Sequence, residues 1–134
     1  MEAQSFKAAA TLPRHVNMVL FSAGGQKFAM ESLHIRGAQS SPAAGVLDLE
    51  RLLGLPQENT PPHYLVLQQA VAGCTLLAVR EPIHIQRVAA QHIKPLPPLL
   101  ALHRDLLALR GLMVDGPGLR AIISPHGLVP LMAD

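Results

Sequence analysis

"NMVLFSAGGQKFAMESLHI", residues 17 to 35, holds two apolar-rich runs on either side of Gly24-Gly25. Glycine tolerates positive φ, so the pair suits the tight turn of a β-hairpin. The stretch predicts strands at about 17–23 and 26–31, the second extended toward Ile35. No helical spacing of apolar residues competes with this pattern, and the rest of the chain has to complete a sheet begun here.

Downstream, "VLDLERLLG" (46–54) changes period: Leu49, Leu52 and Leu53 fall at i, i+3 and i+4, Asp48 can cap the N-terminus, and Gly54 with Pro56 supplies a stop. It predicts a two-turn helix with one buried face. "HYLVLQQAVAGCTLLAVRE" (63–81) predicts two strands around a turn near Val71 to Gly73. In "PIHIQRVA" (82–89), Ile83, Ile85 and Arg87 alternate with His84, Gln86 and Val88, a period of two that indicates a further strand. "HIKPLPPLL" (92–100) is broken by prolines and is expected to run extended along the surface. From Leu99 to Leu109 two readings stay open: Leu99, Leu102, Leu106 and Leu109 fit one helical face, yet the flanking prolines and Arg110-Gly111 also suit a loop leading into a strand. The last stretch predicts a hairpin, Leu112 to Asp115 and Leu119 to Ile123 around Gly116-Pro117-Gly118, then a short helical turn started by Ser124-Pro125.

The sum is at least seven strands and two or three short helices, with no βα alternation: a mainly β, antiparallel, barrel-like fold. With 134 residues the chain forms one domain. Residues 1–16 are expected to be a disordered arm and 17–134 the domain. Apolar residues make up 49% and charged ones 15%, which is low enough that part of the apolar surface is expected to meet a partner.

Composition also removes function classes. The four aromatics are Phe6, Phe21, Phe28 and Tyr64, and the basic residues stand singly, so no stacking platform or basic stripe for nucleic acid is present. No apolar run reaches membrane-spanning length, and no membrane insertion is expected. Cys74 is the sole cysteine, which excludes an internal disulfide and fits a reducing, cytoplasmic setting. The seven histidines include no pair two to four residues apart, Ser124 and Cys74 have no neighbouring base, and "SAGGQKF" lacks phosphate-loop spacing. No metal, no cofactor and no enzymatic activity are expected. Asp48, Glu50 and Arg51 are taken as a cap and a solvated helix face in preference to a charged contact site. Arg36 and Arg110, each followed by glycine, could meet a partner carboxylate or simply stand in water at a strand edge. Ile83, Ile85 and the leucines between Pro95 and Leu107 are the candidate partner surface.

In this order of elements the sequence resembles the CheW-like domain, a bacterial chemotaxis coupling module that also ends the chemotaxis histidine kinase. "VLFSAGGQKFAM" (19–30) is similar to the family's opening hairpin, and "VLDLERLLGLP" (46–56) to its Asp-Leu helix. "GCTLLAVREPIHIQRV" (73–88) is similar to a central strand pair, and "ALRGLMVDGPGLRAIISPHGL" (108–128) to the closing segment. The likeness covers roughly residues 17 to 131. It implies two small SH3-like barrel lobes around a shared apolar core. It also implies a non-catalytic adaptor whose partners are the kinase's regulatory domain and a chemoreceptor.

This chain departs from the pattern in its first lobe. Between the second strand and the helix the family carries another hairpin, about twenty residues at ordinary strand lengths, where "GAQSSPAAGV" (37–46) offers ten. A usual Glu after the second strand has no counterpart in "LHIRGA", and Ser124 replaces an Asp before the proline. The missing hairpin belongs to the receptor-facing surface, so kinase contact is expected ahead of receptor contact. The exposed strand edges left behind call for cover by a homodimer or a partner domain. The rival readings are a self-associating relative in another sensory or motility pathway, and a ligand binder or enzyme on a borrowed barrel.

Overall fold

The structure, a computed structural model, describes residues 15–43, 45–96 and 109–132. Among the described residues nine strands form one sheet. They are β1 (His15–Ala23), β2 (Gln26–Glu31), β3 (Ile35–Gln39), β4 (Val46–Asp48), β5 (His63–Val71), β6 (Cys74–Ala89), β7 (Ile93–Pro95), β8 (Leu109–Asp115) and β9 (Gly118–Ile123). Their order is β3-β5-β6-β1-β2-β9-β8-β7, with β4 beside β6. All pairings are antiparallel except β2 with β9 and β4 with β6.

The opening hairpin forms as its glycines dictate: Phe21 pairs with Phe28 and Ala23 with Gln26, and Gly24 and Gly25 take φ of 57° and 80°. Gly24 is also held by space, because a Cβ there would stand 2.4 Å from Leu55 Cβ. β1 starts at His15, so the last two residues of the expected arm are already strand; residues 1–14 lie outside the described residues.

Helix α1 (Leu49–Leu52) is one turn, shorter than the spacing predicts; the Arg51 N–H donates to Asp48 Oδ1 at 3.3 Å, as the capping argument requires. Between β2 and α1 the chain forms no hairpin. It does hold two short strands, β3 and β4, which enter 37–46 from either end. β3 joins β5 and β4 joins β6, so neither pairs with the other.

The two strands expected at 74–81 and 82–89 are one, β6, which changes partners along its length. Leu76–Ala78 lie between β5 and β4, whereas Arg80 to Ala89 pair with β1. The segment Ile93–Pro95 is extended, as its prolines predict, and pairs with β8. The closing hairpin β8–β9 and a 3₁₀ helix over Pro125–Met132 follow as read. The alternative readings of 99–108 fall outside the described residues; Leu109 begins β8.

Period-two alternation divides β1, β2 and β9 between two cores. Val19, Phe21, Phe28, Met30 and Ile123 face the larger one with Leu65, Leu67, Leu77 and Leu128. Met18, Leu20, Ala29 and Ile122 face a smaller one with Val88 and Met113. The two lobes therefore meet on shared strands, and burying each of these side chains larger than alanine contributes about 1.5–3 kcal/mol.

At Gly111 the backbones of β7 and β8 come close: a Cβ would stand 2.6 Å from the Lys94 carbonyl oxygen. Gly111→Ala is expected to lose about 1–3 kcal/mol through this overpacking, read as a lower urea midpoint. An unchanged midpoint would show that β7 moves aside freely.

Candidate interaction surface

The side chains proposed from sequence stand on three strands. On β6, Ile83 and Ile85 share one face by the alternation of the strand. Ile83 is half-buried and packs against the larger core. Ile85, opposite Val19 on β1, is 70% exposed. An apolar side chain of that size in water, beside core residues of its own face, extends the core's apolar surface outward. Arg36 lies exposed on β3 and Arg110 exposed on β8, where its Nε donates to Ser124 Oγ at 3.4 Å. Neither β3 nor β8 pairs with β6, so these guanidiniums do not join the isoleucines in one hydrogen-bonded strand pair. The leucines between residues 97 and 107 lie outside the described residues.

Apart from this surface the fold holds a polar lock that sequence reading misses. Glu50, taken as part of a solvated helix face, is 1% exposed, and corrects that expectation. Its Oε1 accepts from Arg80 Nη2 at 2.9 Å and its Oε2 from Arg80 Nε at 3.1 Å, a two-pronged pair. The same carboxylate accepts the Gly24 N–H at 2.7 Å and the Glu58 N–H at 3.4 Å, and Arg80 also donates to the Thr60 carbonyl. One ion pair thus ties α1, the β1–β2 turn, the 54–62 connection and the middle of β6 together. Burial alone pushes the Glu50 carboxyl up, but the Arg80 hydrogen bonds and charge, with the two backbone donors, outweigh it and hold it below its ordinary value. Arg80 is raised, chiefly by its hydrogen bond to Glu50. The signal that could have found Glu50 is its spacing: it lies three residues before Leu53, on the apolar side of the turn.

Arg120 does similar work in the second lobe. Its Nε donates to Asp115 Oδ2 at 2.8 Å, and its Nη1 reaches the carbonyls of Phe21 and Phe28 at 3.3 and 3.2 Å, across the β1–β2 pair. Beside it, β2 and β9 pair only through Phe28–Ala121 and Ala29–Ile122. Their separation leaves a groove of about 620 Å³ lined by Lys27, Phe28, Leu53, Leu109, Leu112 and Leu119. Leu119 is 59% exposed at this groove. A second cleft, about 200 Å³, has His34 and His126 in its walls with Gln68 and Gln69. Among the described residues no three His, Cys, Asp or Glu side chains come together to hold a metal ion. His63 Nε2 lies 3.1 Å from Glu81 Oε2 at the β5–β6 pair. No helix of the described residues is long and apolar enough to cross a membrane.

No family model matches the sequence, and no curated protein matches it. The fold is similar to that of a solved scaffolding protein, CheW from Thermoanaerobacter tengcongensis, with a TM-score of 0.63 at 15% sequence identity. The match covers 87% of this chain and 92% of that one. At such identity the likeness establishes the fold: mainly β, CheW-like, with few short helices.

Proposed function

We propose that the chain is a non-catalytic adaptor of bacterial signal transduction, working in the cytoplasm by protein–protein contact. Its favoured partner is the regulatory domain of a chemotaxis-type histidine kinase, ahead of a chemoreceptor. The observation that carries this is Ile85, a large apolar side chain left in water on the longest strand of the sheet, on a fold similar to that of a scaffolding protein. Ile83 supports it from below, and Arg36 and Arg110 offer the exposed cations that could give a partner's carboxylates their orientation.

The test is a calorimetric titration of the protein against that kinase domain. Ile85→Asp is expected to weaken binding about ten- to hundredfold, the equivalent of losing one buried isoleucine, while thermal unfolding stays where it was. Ile83→Asp is expected to lower stability as well, because Ile83 packs on the core. Unchanged affinity in Ile85→Asp would remove β6 from the interface.

A further inference from the structure

Beside the short seam between β2 and β9 lies the groove of about 620 Å³, within the range of about 300–1,000 Å³ usual for small-molecule sites. Most of its walls are apolar side chains, and two cations stand among them, Lys27 and Arg120. Arg120 is 7% exposed, so a donor left without an acceptor there is costly. A guanidinium carries five N–H hydrogens. The one on Nε goes to Asp115, and those on Nη1 go to the Phe21 and Phe28 carbonyls. The pair on Nη2 has no acceptor among the described residues, and the groove that Arg120 lines has room for one. The nearby carboxylates are already engaged: Asp115 is held by Arg120, and Glu58 by the Gly25 N–H at 2.9 Å. Lys27 is exposed and pairs with no carboxylate among the described residues. The spare polar groups of the groove are therefore donors on two cations.

We propose that this groove binds a small amphipathic carboxylate, a free molecule with one anionic head and an apolar body. The head accepts from Arg120 Nη2 and from Lys27 Nζ, for which a carboxylate has two oxygens. The body lies along Phe28, Leu53, Leu112 and Leu119, and it covers a leucine, Leu119, that is 59% exposed without it. The cations alone would take any anion and the apolar walls any apolar body; together they select a molecule that carries both. The inference goes beyond the adaptor role and does not rest on it, since Ile85 is not among the residues that line the groove.

The probe is decanoate, titrated calorimetrically into the full chain, with decanol and acetate as the body and the head alone. Decanoate is expected to saturate one site per chain. Each control is expected to bind at least about tenfold more weakly, because it forfeits either the charge-assisted hydrogen bonds or the apolar burial. Replacing Arg120 would also release the Phe21 and Phe28 carbonyls, so the variant that carries the test is Leu119→Glu, at an exposed position. It sets a carboxylate at the groove and is expected to weaken decanoate at least about tenfold, with thermal unfolding unchanged.

Absence of saturation, decanol binding as tightly as decanoate, or unchanged affinity in Leu119→Glu would each overturn the proposal. A leucine-rich acidic peptide that binds where decanoate does not would assign the groove to a protein partner, and the proposal would fall. The kinase titration reads a different surface, so the failure of either reading leaves the other standing.

Discussion

Glu50→Ala is expected to cost the fold about 3–5 kcal/mol, the usual loss when one member of a buried ion pair is removed. Arg80, whose side chain is 10% exposed, would keep its charge with no carboxylate beside it. The N–H groups of Gly24 and Glu58 would lose their acceptor as well. Urea unfolding followed by circular dichroism reads the loss directly. A double variant, Glu50→Leu with Arg80→Leu, is expected to recover most of it, because removing both charges removes the desolvation they suffer. The same pair sets an acid limit. Glu50 has its folded value below 4.5, so its contribution is complete above the unfolded value and is lost as pH falls through the folded one. Below about pH 4.5 the unsubstituted protein is expected to lose stability more steeply than the double variant. Parallel pH profiles would show that the carboxylate contributes nothing through its charge.

Phe21→Ala has an expected cost of about 3–5 kcal/mol. The ring is fully buried and stacks on Phe28 with centroids 6.1 Å apart and planes 19° apart. Phe28, Met30 and the leucines of the larger core would lose a packing partner, and the next residue of the same face, Ala23, is too small to fill the void. Met18→Ala empties the smaller core from the same strand and is expected to cost about 2–5 kcal/mol. Both variants are expected to shift one cooperative transition, since β1 gives its side chains alternately to the two cores. Two separated transitions in either variant would show that the lobes hold together independently.

Much of this architecture is legible in the sequence because it is local. Gly24-Gly25 sets the first hairpin, Asp48 sets the helix start, and Gly116-Pro117-Gly118 sets the last turn, each by the conformations those residues allow or disallow. Pairings made at long range are not legible. β4 is three residues in parallel with β6, too short to show a period, and β3 exists because β5 is there to receive it. Pro82 suggests a break inside β6, yet the strand continues, its partner having changed from β5 to β1 between Val79 and Arg80. The surface follows the same division. Ile85 is found by alternation within one strand, whereas the burial of Glu50 depends on an arginine thirty residues away.

The sharing of β1 and β6 between lobes also governs how such a chain can change over generations. A segment that serves one lobe alone, such as the connection between β3 and β4, can lengthen or shrink with a local effect. An insertion of one residue in β1 would exchange the side chains facing its two cores, and a cut in β6 would take a border from both lobes together. The lobes are therefore inherited as a pair, and neither can be passed to another gene as a free-standing module.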